Sequence, residues 1–340
     1  MTEKKFSVKE YSIQVLNYMA QGLFASLIIG LILKQIGEKT GLTMLTDFGK
    51  AAQLFMGPAI GAAVAYGVKA PVLSIFSSII TGALGAQTIL LTAAGTYSVK
   101  TGEPVGALVA ALVGAELGKL VKGRTKLDII VVPATTIIAG GITSVFVSPF
   151  MSSFMAALGQ MINSATELQP IPMGIIVSTA MGMILTAPIS SAAIAISLKL
   201  SGLAAGAATV GCSAQMVGFA VASFRENKYG GLLAQGLGTS MLQVPNIIKN
   251  PLIWIPPTVA SAILGPIASA VFRMQNTPVG AGMGTSGLVG QFATVEAMGL
   301  NSLPLILLLH IVAPAVITLL VAEFMRRKNW IKPGDMKLDL

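Results

Sequence analysis

Charged residues, cysteine and histidine are all scarce in this sequence. Only 10% of the 340 residues are charged, against about a quarter in soluble domains, which argues against an ordinary soluble domain. Cys212 is the only cysteine and His310 the only histidine. The sequence therefore predicts no disulfide framework and no cysteine or histidine metal cluster. No metal and no cofactor are expected.

Apolar residues make up much of what remains. They form 54% of the chain, with a mean hydropathy of +0.80. Runs of roughly 20 apolar residues recur, and each is long enough to cross a hydrocarbon core of about 30 Å. These runs are longer than the ~10 alternating residues of a barrel strand. The fold class predicted is therefore an all-α polytopic membrane protein without strands. The first run continues to Leu33 with no cleavage site, so no cleaved signal peptide is expected.

About ten transmembrane helices are predicted. Their approximate bounds are Ser12–Leu33, Met44–Tyr66, Val72–Ala94, Val105–Val121, Ile129–Phe150, Met173–Leu198, Leu203–Phe224, Gly231–Ile248, Leu252–Phe272 and Leu303–Phe324. Residues 1–150 are predicted to form a first membrane half and residues 171–340 a second. The more polar residues 151–170 are expected to be an interfacial helix and linker between them.

The two halves resemble each other in sequence. The string GPAIGAAVAYGVKA at Gly57–Ala70 aligns without gaps on APISSAAIAISLKL at Ala187–Leu200, and Lys69 matches Lys199. Internal repeats are common in transporters, although alanine-rich helices also align by chance. Most of the 22 Lys and Arg residues fall in loops that ten spans place on the side of the N-terminus. This bias predicts cytoplasmic termini and repeats that run parallel.

A glycine-rich stretch, NTPVGAGMGTSGLVG at Asn276–Gly290, precedes the last span. It contains G-x-G-x-x-G, but no strand precedes it and Glu296 comes too early to bind a ribose, so dinucleotide binding is not expected. Two interpretations remain open. The glycines either let helices pack closely, or residues 275–301 form a re-entrant loop that presents backbone groups to a ligand inside the protein. The second interpretation is preferred.

Polar residues within the spans and the loop are candidates for binding a hydroxyl-rich solute. They are Gln87, Gln215, Asn276, Thr277, Gly282, Gly284, Thr285, Ser286, Gln291, Glu296 and His310. Gln87 and Gln215 lie in the related strings GALGAQ and GCSAQ, which predicts a solute site between the two halves. Hydrogen bonding between helices is the alternative for both amides and for His310. No residue is assigned a catalytic role.

The ten-span layout, the two halves and TPVGAGMGTSGLVGQ at Thr277–Gln291 resemble the membrane-embedded IIC components of the phosphotransferase (PTS) sugar-uptake system. The resemblance covers essentially the whole chain and is greatest to a stand-alone branch that includes perfringolysin (toxin) regulators. It implies a homodimer in the bacterial inner membrane that moves a carbohydrate-like solute by an elevator-like motion. It also implies a carboxylate and a histidine that hold the sugar. Glu296 and His310 match those types in the second half, outside the usual local motif.

The function predicted is that of a IIC-like membrane transporter for a small polar, carbohydrate-like solute, and not of an enzyme. Phosphoryl transfer to the solute would require separate cytoplasmic IIA and IIB proteins, because the only cysteine and histidine lie within spans. The alternative is a membrane sensor or regulator that keeps the IIC fold without transport. The net charge of +9 is explained by loops near the membrane, so nucleic acid is not an expected partner.

Overall fold

A computed structural model describes residues 8–91 and 95–338, most of which are helical. The chain divides into two compact units, Met1–Ser153 and Phe154–Leu340. One helix continues across this division, and it includes most of the predicted linker at residues 151–170.

The first unit contains seven helices and one short hairpin within its described residues. They are α1 (Val8–Leu23), α2 (Ile29–Thr40), α3 (Thr43–Leu54), α4 (Met56–Gly67), α5 (Val72–Gly85), β1 (Ile89–Leu91), β2 (Tyr97–Val99), α6 (Pro104–Val121) and the start of α7 (Asp128–Thr166). A π-helical turn at Phe24–Ile28 joins α1 to α2, which together make one long apolar helix. Proline begins α6 at a position where its missing N–H costs nothing.

Small residues bring the helices of the first unit together. Helix α4 packs on α1, α5 and α6. Gly61 of α4 lies directly against the Ser78 carbonyl of α5, and Gly85 of α5 against the Gly106 carbonyl of α6. A Cβ atom at either glycine would overlap backbone atoms of the neighbouring helix. The close glycine packing expected of membrane helices is therefore present here.

The second unit is built around one buried helix. Its helices are the end of α7, α8 (Pro170–Thr186), α9 (Ser191–Ser197), α10 (Gly202–Ala222), α11 (Phe224–Leu233), α12 (Val244–Lys249), α13 (Ile255–Pro266), α14 (Pro278–Ala281), α15 (Val289–Met298), α16 (Leu303–Ile306) and α17 (Ala313–Arg327). Helix α10 contacts α8, α13, α14, α15 and α17. Nearly all of its residues between Ala205 and Ala222 are buried, which its Ala, Gly and Ser content permits.

Short π and 3₁₀ segments interrupt or extend several of these helices. The π segments of the second unit are Ala234–Gly238, Ile267–Val271 and Leu307–Val312, and the 3₁₀ segments are Ser240–Gln243, Pro251–Trp254, Ser286–Leu288 and Leu300–Ser302. Leu307–Val312 joins α16 to α17 without a break in the apolar run. The predicted last span is therefore present with His310 inside a π turn.

Six helices of the described residues are long and apolar enough to cross a membrane. They are Glu10–Thr40, Pro104–Val121, Asp128–Met151, Gly202–Ala222, Pro251–Val271 and Leu300–Arg327. They correspond to the first, fourth, fifth, seventh, ninth and tenth predicted spans. The polytopic helical fold is confirmed. The other four predicted spans coincide with shorter or interrupted helices.

All four of these predictions were wrong in detail: the second span is divided between α3 and α4 and the sixth between α8 and α9. The third span was expected to be helical to Ala94, but α5 ends at Gly85 and an antiparallel hairpin follows, with Leu90 opposite Ser98; residues 92–94 lie outside the described part of the chain. The expectation that the chain has no strands fails at the same place. The eighth span, Gly231–Ile248, is broken into a π segment, a 3₁₀ turn and α12. A hydrophobic run has no period that would distinguish these shorter elements from a helix.

Helices α4 and α9 end in the same way. After α4, Lys69 adopts φ 58° and donates its N–H to the Tyr66 carbonyl, and Ala70 donates to Ala65. After α9, Lys199 adopts φ 51° with the equivalent pair of bonds, from Lys199 to Ile196 and from Leu200 to Ala195. This pattern is the Schellman motif. Glycine is the usual residue at such a left-handed position, and both lysine side chains are exposed there.

Candidate functional site

Three breaks in helical structure lie around the middle of α10. The first is at residues 187–190 between α8 and α9. The second is at residues 234–243, where a π segment and a 3₁₀ segment separate α11 from α12, and the third is at residues 282–288 between α14 and α15. Pro188 accounts for the first break because it cannot donate a hydrogen bond within the preceding helix. The third break contains left-handed backbone at Gly284, Gly287 and Leu288, with φ of 52°, 53° and 60°.

The third break, residues 282–288, is here called the glycine loop. Gly284 lies against the backbone of Cys212, which is at the centre of α10, and a Cβ on Gly284 would be 2.7 Å from the Cys212 carbonyl carbon. Gly282 lies against the backbone of Ser191, and Gly290 against Gly284. The glycines thus allow close approach to α10 and α9, which is the close packing of the first interpretation; the re-entrant loop that presents backbone groups to a ligand stays a prediction.

Hydroxyl groups connect the three breaks to one another. Ser191 Oγ donates to the Gly282 carbonyl at 2.6 Å. Thr285 Oγ1 donates to the Gly236 carbonyl at 2.5 Å, and Ser286 Oγ donates to the Gly238 carbonyl at 2.7 Å. Backbone carbonyls released by broken helices must find partners when they are buried. Here the neighbouring break supplies them, so the predicted residues Gly282, Thr285 and Ser286 belong to one hydrogen-bonded assembly.

Asn276 holds the entrance of the loop in place. Its Nδ2 donates to Thr209 Oγ1 at 2.7 Å, to Thr294 Oγ1 at 3.0 Å and to the Gly290 carbonyl at 3.0 Å. Its Oδ1 accepts the N–H of Thr277 at 2.7 Å. The side chain is 3% exposed. The structure therefore gives Asn276 internal partners on α10 and α15, and Thr277 beside it is half-buried.

Gln215 is also fully engaged inside the second unit. Its Oε1 accepts from Trp254 Nε1 at 3.0 Å and from Thr186 Oγ1 at 3.2 Å, and its Nε2 donates to Thr258 Oγ1 at 3.1 Å. Thr186 also pairs with Ser240 Oγ at 2.8 Å. This network joins α8, α10 and α13 to the second break. Hydrogen bonding between helices, one of the two interpretations of this amide, is what the geometry shows.

Gln291 and His310 form a buried hydrogen-bonded pair in which two polar atoms lack a partner within the described residues. Gln291 Nε2 lies 2.9 Å from His310 Nδ1. Both side chains are buried, His310 completely. Among the described residues, neither Gln291 Oε1 nor His310 Nε2 has a hydrogen-bond partner. If the amide donates to Nδ1, the ring proton is on Nε2, so the pair presents one free acceptor and one free donor. Buried polar atoms of this kind call for a water, an ion or a ligand.

The remaining predicted residues lie elsewhere. Gln87 belongs to the first unit, where it ends α5 in a left-handed turn with φ 56° and a half-buried side chain. Glu296 is exposed on α15, one to two turns from Gln291. Within the second unit, the structure thus brings Gly282, Gly284, Thr285 and Ser286 together and leaves Glu296 on the surface.

Several residues at this site were not identified from the sequence. Ser191, Gly236 and Gly238 supply partners to the glycine loop, and Thr186, Trp254 and Thr258 surround Gln215. One signal was available: Pro188 within the predicted sixth span marks a helix break.

In the first unit, Glu116 Oε1 accepts from Tyr11 at 2.6 Å and from Lys119 at 2.9 Å. The bond from Tyr11 joins α1 to α6, whereas the bond from Lys119 lies within α6.

Comparison with known proteins gives the family. A family model described as "Phosphotransferase system, EIIC" matches residues 13–338. The chain belongs to this family. No curated protein and no solved structure matches it. EIIC proteins are membrane permease components of PTS sugar transport, so the chain is a multi-pass membrane protein of PTS type, as the resemblance of Thr277–Gln291 predicted. The perfringolysin regulator branch stays a prediction.

Proposed function

We propose that this EIIC protein moves a small polar, carbohydrate-like solute, and that the glycine loop with its neighbouring breaks binds it. The observation that carries the proposal is the meeting of three helix breaks at the centre of α10, next to the unpartnered atoms of Gln291 and His310. Broken helices at membrane depth are tolerated only inside protein or beside a water-filled cavity. In transporters, such breaks commonly form the binding site near the midplane.

The chemistry of this site suits hydroxyl groups. Gln291 Oε1 is an acceptor and His310 Nε2 is a donor when the amide donates to Nδ1. A sugar hydroxyl can satisfy both at once, because it donates one hydrogen bond and accepts others. Thr285, Ser286 and the glycine carbonyls supply further polar groups once the loop moves. Asn276 and Gln215 are proposed to position the loop and α10, whereas Glu296 is proposed to contact solute only outside the buried pair.

A two-fold internal repeat is part of the proposal. The matching turns at Lys69 and Lys199 support it, because both the backbone angles and the hydrogen bonds agree at aligned positions. We propose that the copies run parallel, that ten segments cross the membrane, and that the shorter or broken helices provide four of these crossings. Gln87 would then contact solute from the first half. This assignment rests on the sequence pattern GALGAQ and GCSAQ.

The proposed assembly follows from the family. We propose a homodimer in the bacterial inner membrane with both termini cytoplasmic. Separate IIA and IIB proteins would pass a phosphoryl group to the solute as it leaves. The charge bias of the loops supports the orientation.

A solute screen with matched variants tests the function. Detergent-purified protein is screened by thermal shift against sugars, polyols and organic acids, and then repeated with Gln291→Leu and with Ala297→Ser, an exposed control on the same helix α15. A ligand at 100 times its Kd stabilises the folded state by about 2.7 kcal/mol. We expect a sugar or polyol to raise the Tm of the wild type and of Ala297→Ser but not of Gln291→Leu.

Uptake into proteoliposomes follows with the solute found. Flux that requires added IIA and IIB proteins supports the phosphotransferase mechanism. A solute that binds but does not enter, with and without these proteins, would contradict transport and support the sensor hypothesis. A screen in which no polar solute shifts the Tm would contradict the proposed site.

A further inference from the structure

The segment that follows α17 folds back on the second unit. This segment, residues 329–338, is here called the C-terminal strap. It follows α17 through a left-handed turn at Asn329 with φ 58°. Ile331 and Met336 are buried in a cluster that contains Phe219 and Ile253. The other described side chains of the strap are exposed or half-buried, so two apolar side chains anchor it.

Side chains, rather than a strand ladder, bind the backbone of the strap. Asn227 Nδ2 donates to the Met336 carbonyl at 2.8 Å, and Asn227 Oδ1 accepts the Leu338 N–H at 2.8 Å. The Glu226 carboxylate accepts the N–H of Met336 at 2.9 Å and that of Gly334 at 3.0 Å. Charge-assisted bonds of this type are stronger than neutral ones. The strap is thus held as an extended peptide is held in a binding groove.

Two buried glutamines continue from the strap towards the glycine loop. Gln243 Nε2 donates to the Met336 carbonyl and to Gln235 Oε1, both at 2.9 Å. Gln235 Nε2 donates to Ser223 Oγ at 2.8 Å and to the Gly231 carbonyl at 3.0 Å. Both glutamines are fully buried. The residue after Gln235 is Gly236, whose carbonyl accepts from Thr285 of the glycine loop.

We propose that the C-terminal strap is a releasable latch that positions the glycine loop, with Gln243 and Gln235 as positioning residues. Docking of Met336 fixes Gln243, which fixes Gln235 and the segment that carries Gly236 and Gly238. These two carbonyls hold Thr285 and Ser286. Release of the strap loosens this segment and lets the loop leave α10. The role of the latch in transport rests on the proposed function, but the contacts do not.

The strap has the properties of a segment that opens locally. Regions with few buried apolar contacts open at lower free energy than the core. The strap buries two apolar side chains and exposes Lys332, Pro333 and Gly334. Its polar bonds can be exchanged for bonds to water, which makes their net contribution modest. Undocking of the strap therefore requires no unfolding of the helices of the second unit.

Cys212 reports directly on the glycine loop. It is the only cysteine and is fully buried, and Gly284 covers its backbone. Its Sγ donates to the Met181 carbonyl of α8 at 3.4 Å and to the carbonyl of Ala281, the residue before the loop, at 3.8 Å. A membrane-permeant maleimide reacts with Cys212 only when this cover opens. The rate of labelling of the full-length protein in proteoliposomes thus measures loop opening without any solute.

The test compares two adjacent positions in the strap. Met336→Asp places a charge in the buried cluster and releases the strap, whereas Lys337→Ala changes an exposed side chain and keeps the backbone bonds. We expect Met336→Asp to raise the labelling rate roughly 5- to 30-fold, the range for one or two kcal/mol in an opening equilibrium, and Lys337→Ala to leave it unchanged. Excess synthetic peptide with the sequence NWIKPGDMKL should slow labelling of Met336→Asp again.

A second variant separates the latch from general loss of structure. Gln243→Leu keeps the apolar anchors but cuts the bonds to Met336 and Gln235, and it should also raise labelling, with no rescue by the peptide. Wild-type labelling in both variants would overturn the proposal, and so would an equal increase in Lys337→Ala. If Met336→Asp does not elute as folded protein, the labelling rate of Gln243→Leu alone tests the latch. The labelling assay contains no solute, so a negative labelling result does not contradict the proposed solute site. Likewise, a solute screen without any Tm shift does not affect the labelling result.

Discussion

Replacing Gln215 by leucine tests which role this buried amide has. Leucine is apolar and close in size, so little cavity forms. Thr186 keeps its bonds to Ser240 and to the Gly182 carbonyl, and Thr258 keeps its bond to the Trp254 carbonyl. The indole N–H of Trp254 loses Gln215, the acceptor 3.0 Å away. A buried donor left unpaired costs about 1–3 kcal/mol. Because Trp254 is half-buried, we expect Gln215→Leu to lower the free energy of unfolding by about 1 kcal/mol, the lower end of this range.

The assay is equilibrium unfolding in mixed micelles with increasing SDS, followed by tryptophan emission. Gln87→Leu is the matched control, because the same substitution falls on a half-buried side chain at the end of α5. Its expected change is within about 0.5 kcal/mol. The reasoning would be refuted if Gln215→Leu had wild-type stability. Wild-type stability together with lost solute binding would show that Gln215 contacts the solute instead.

Two further predictions concern stability. Gly284→Ala should lower the free energy of unfolding more than Gly41→Ala does. Both glycines have positive φ, at 52° and 76°, but Gly284 lies against Cys212 whereas Gly41 faces open space. An alanine in the left-handed backbone costs about 1–2 kcal/mol at either position. If SDS unfolding showed equal losses of stability in the two variants, the close packing of Gly284 would be contradicted. Tyr11→Phe should lower the free energy of unfolding by about 0.5–1.5 kcal/mol, because it removes the hydrogen bond to Glu116. Tyr66→Phe, an exposed control, should leave stability unchanged. A larger loss in Tyr66→Phe than in Tyr11→Phe would refute the contribution of the Tyr11–Glu116 bond.

The helices that could be predicted from the sequence are those whose apolar run is continuous. Helix α10 begins and ends within a few residues of the predicted Leu203–Phe224 span. The last span was also located correctly, and it places His310 beside Gln291 on a different helix. The pairing itself could not be predicted, because it joins residues from separate elements and no local pattern reports such a contact.

The eighth predicted span failed for a physical reason. Residues 231–248 are apolar enough to be taken for a helix, yet Gln235, Gln243 and Asn246 interrupt them. Gln243 and Asn246 donate to the backbone of the C-terminal strap, roughly 90 residues further along the chain, and Gln235 bonds to Gln243 and to Ser223. A polar side chain in an apolar run predicts that a partner exists, but the sequence does not reveal which one.

Asn276 shows the same limit at the candidate site. Its place before a glycine-rich stretch predicted a ligand contact, and the structure gives its amide four hydrogen-bond partners within the second unit. Side-chain amides both bind ligands and replace backbone partners at helix breaks. Only the count of satisfied atoms distinguishes these roles, and that count requires coordinates.

The lysines that end α4 and α9 have a consequence for how the chain enters the membrane. A glycine at Lys69 or Lys199 would relieve a backbone strain of about 1–2 kcal/mol. On the proposed topology, in which both turns face the cytoplasm, it would also remove a positive charge that favours retention on that side during insertion. On that proposed topology, one residue both ends the helix and helps to orient it. Lys69→Gly and Lys199→Gly should therefore yield a more relaxed turn together with a larger share of misoriented molecules during biogenesis.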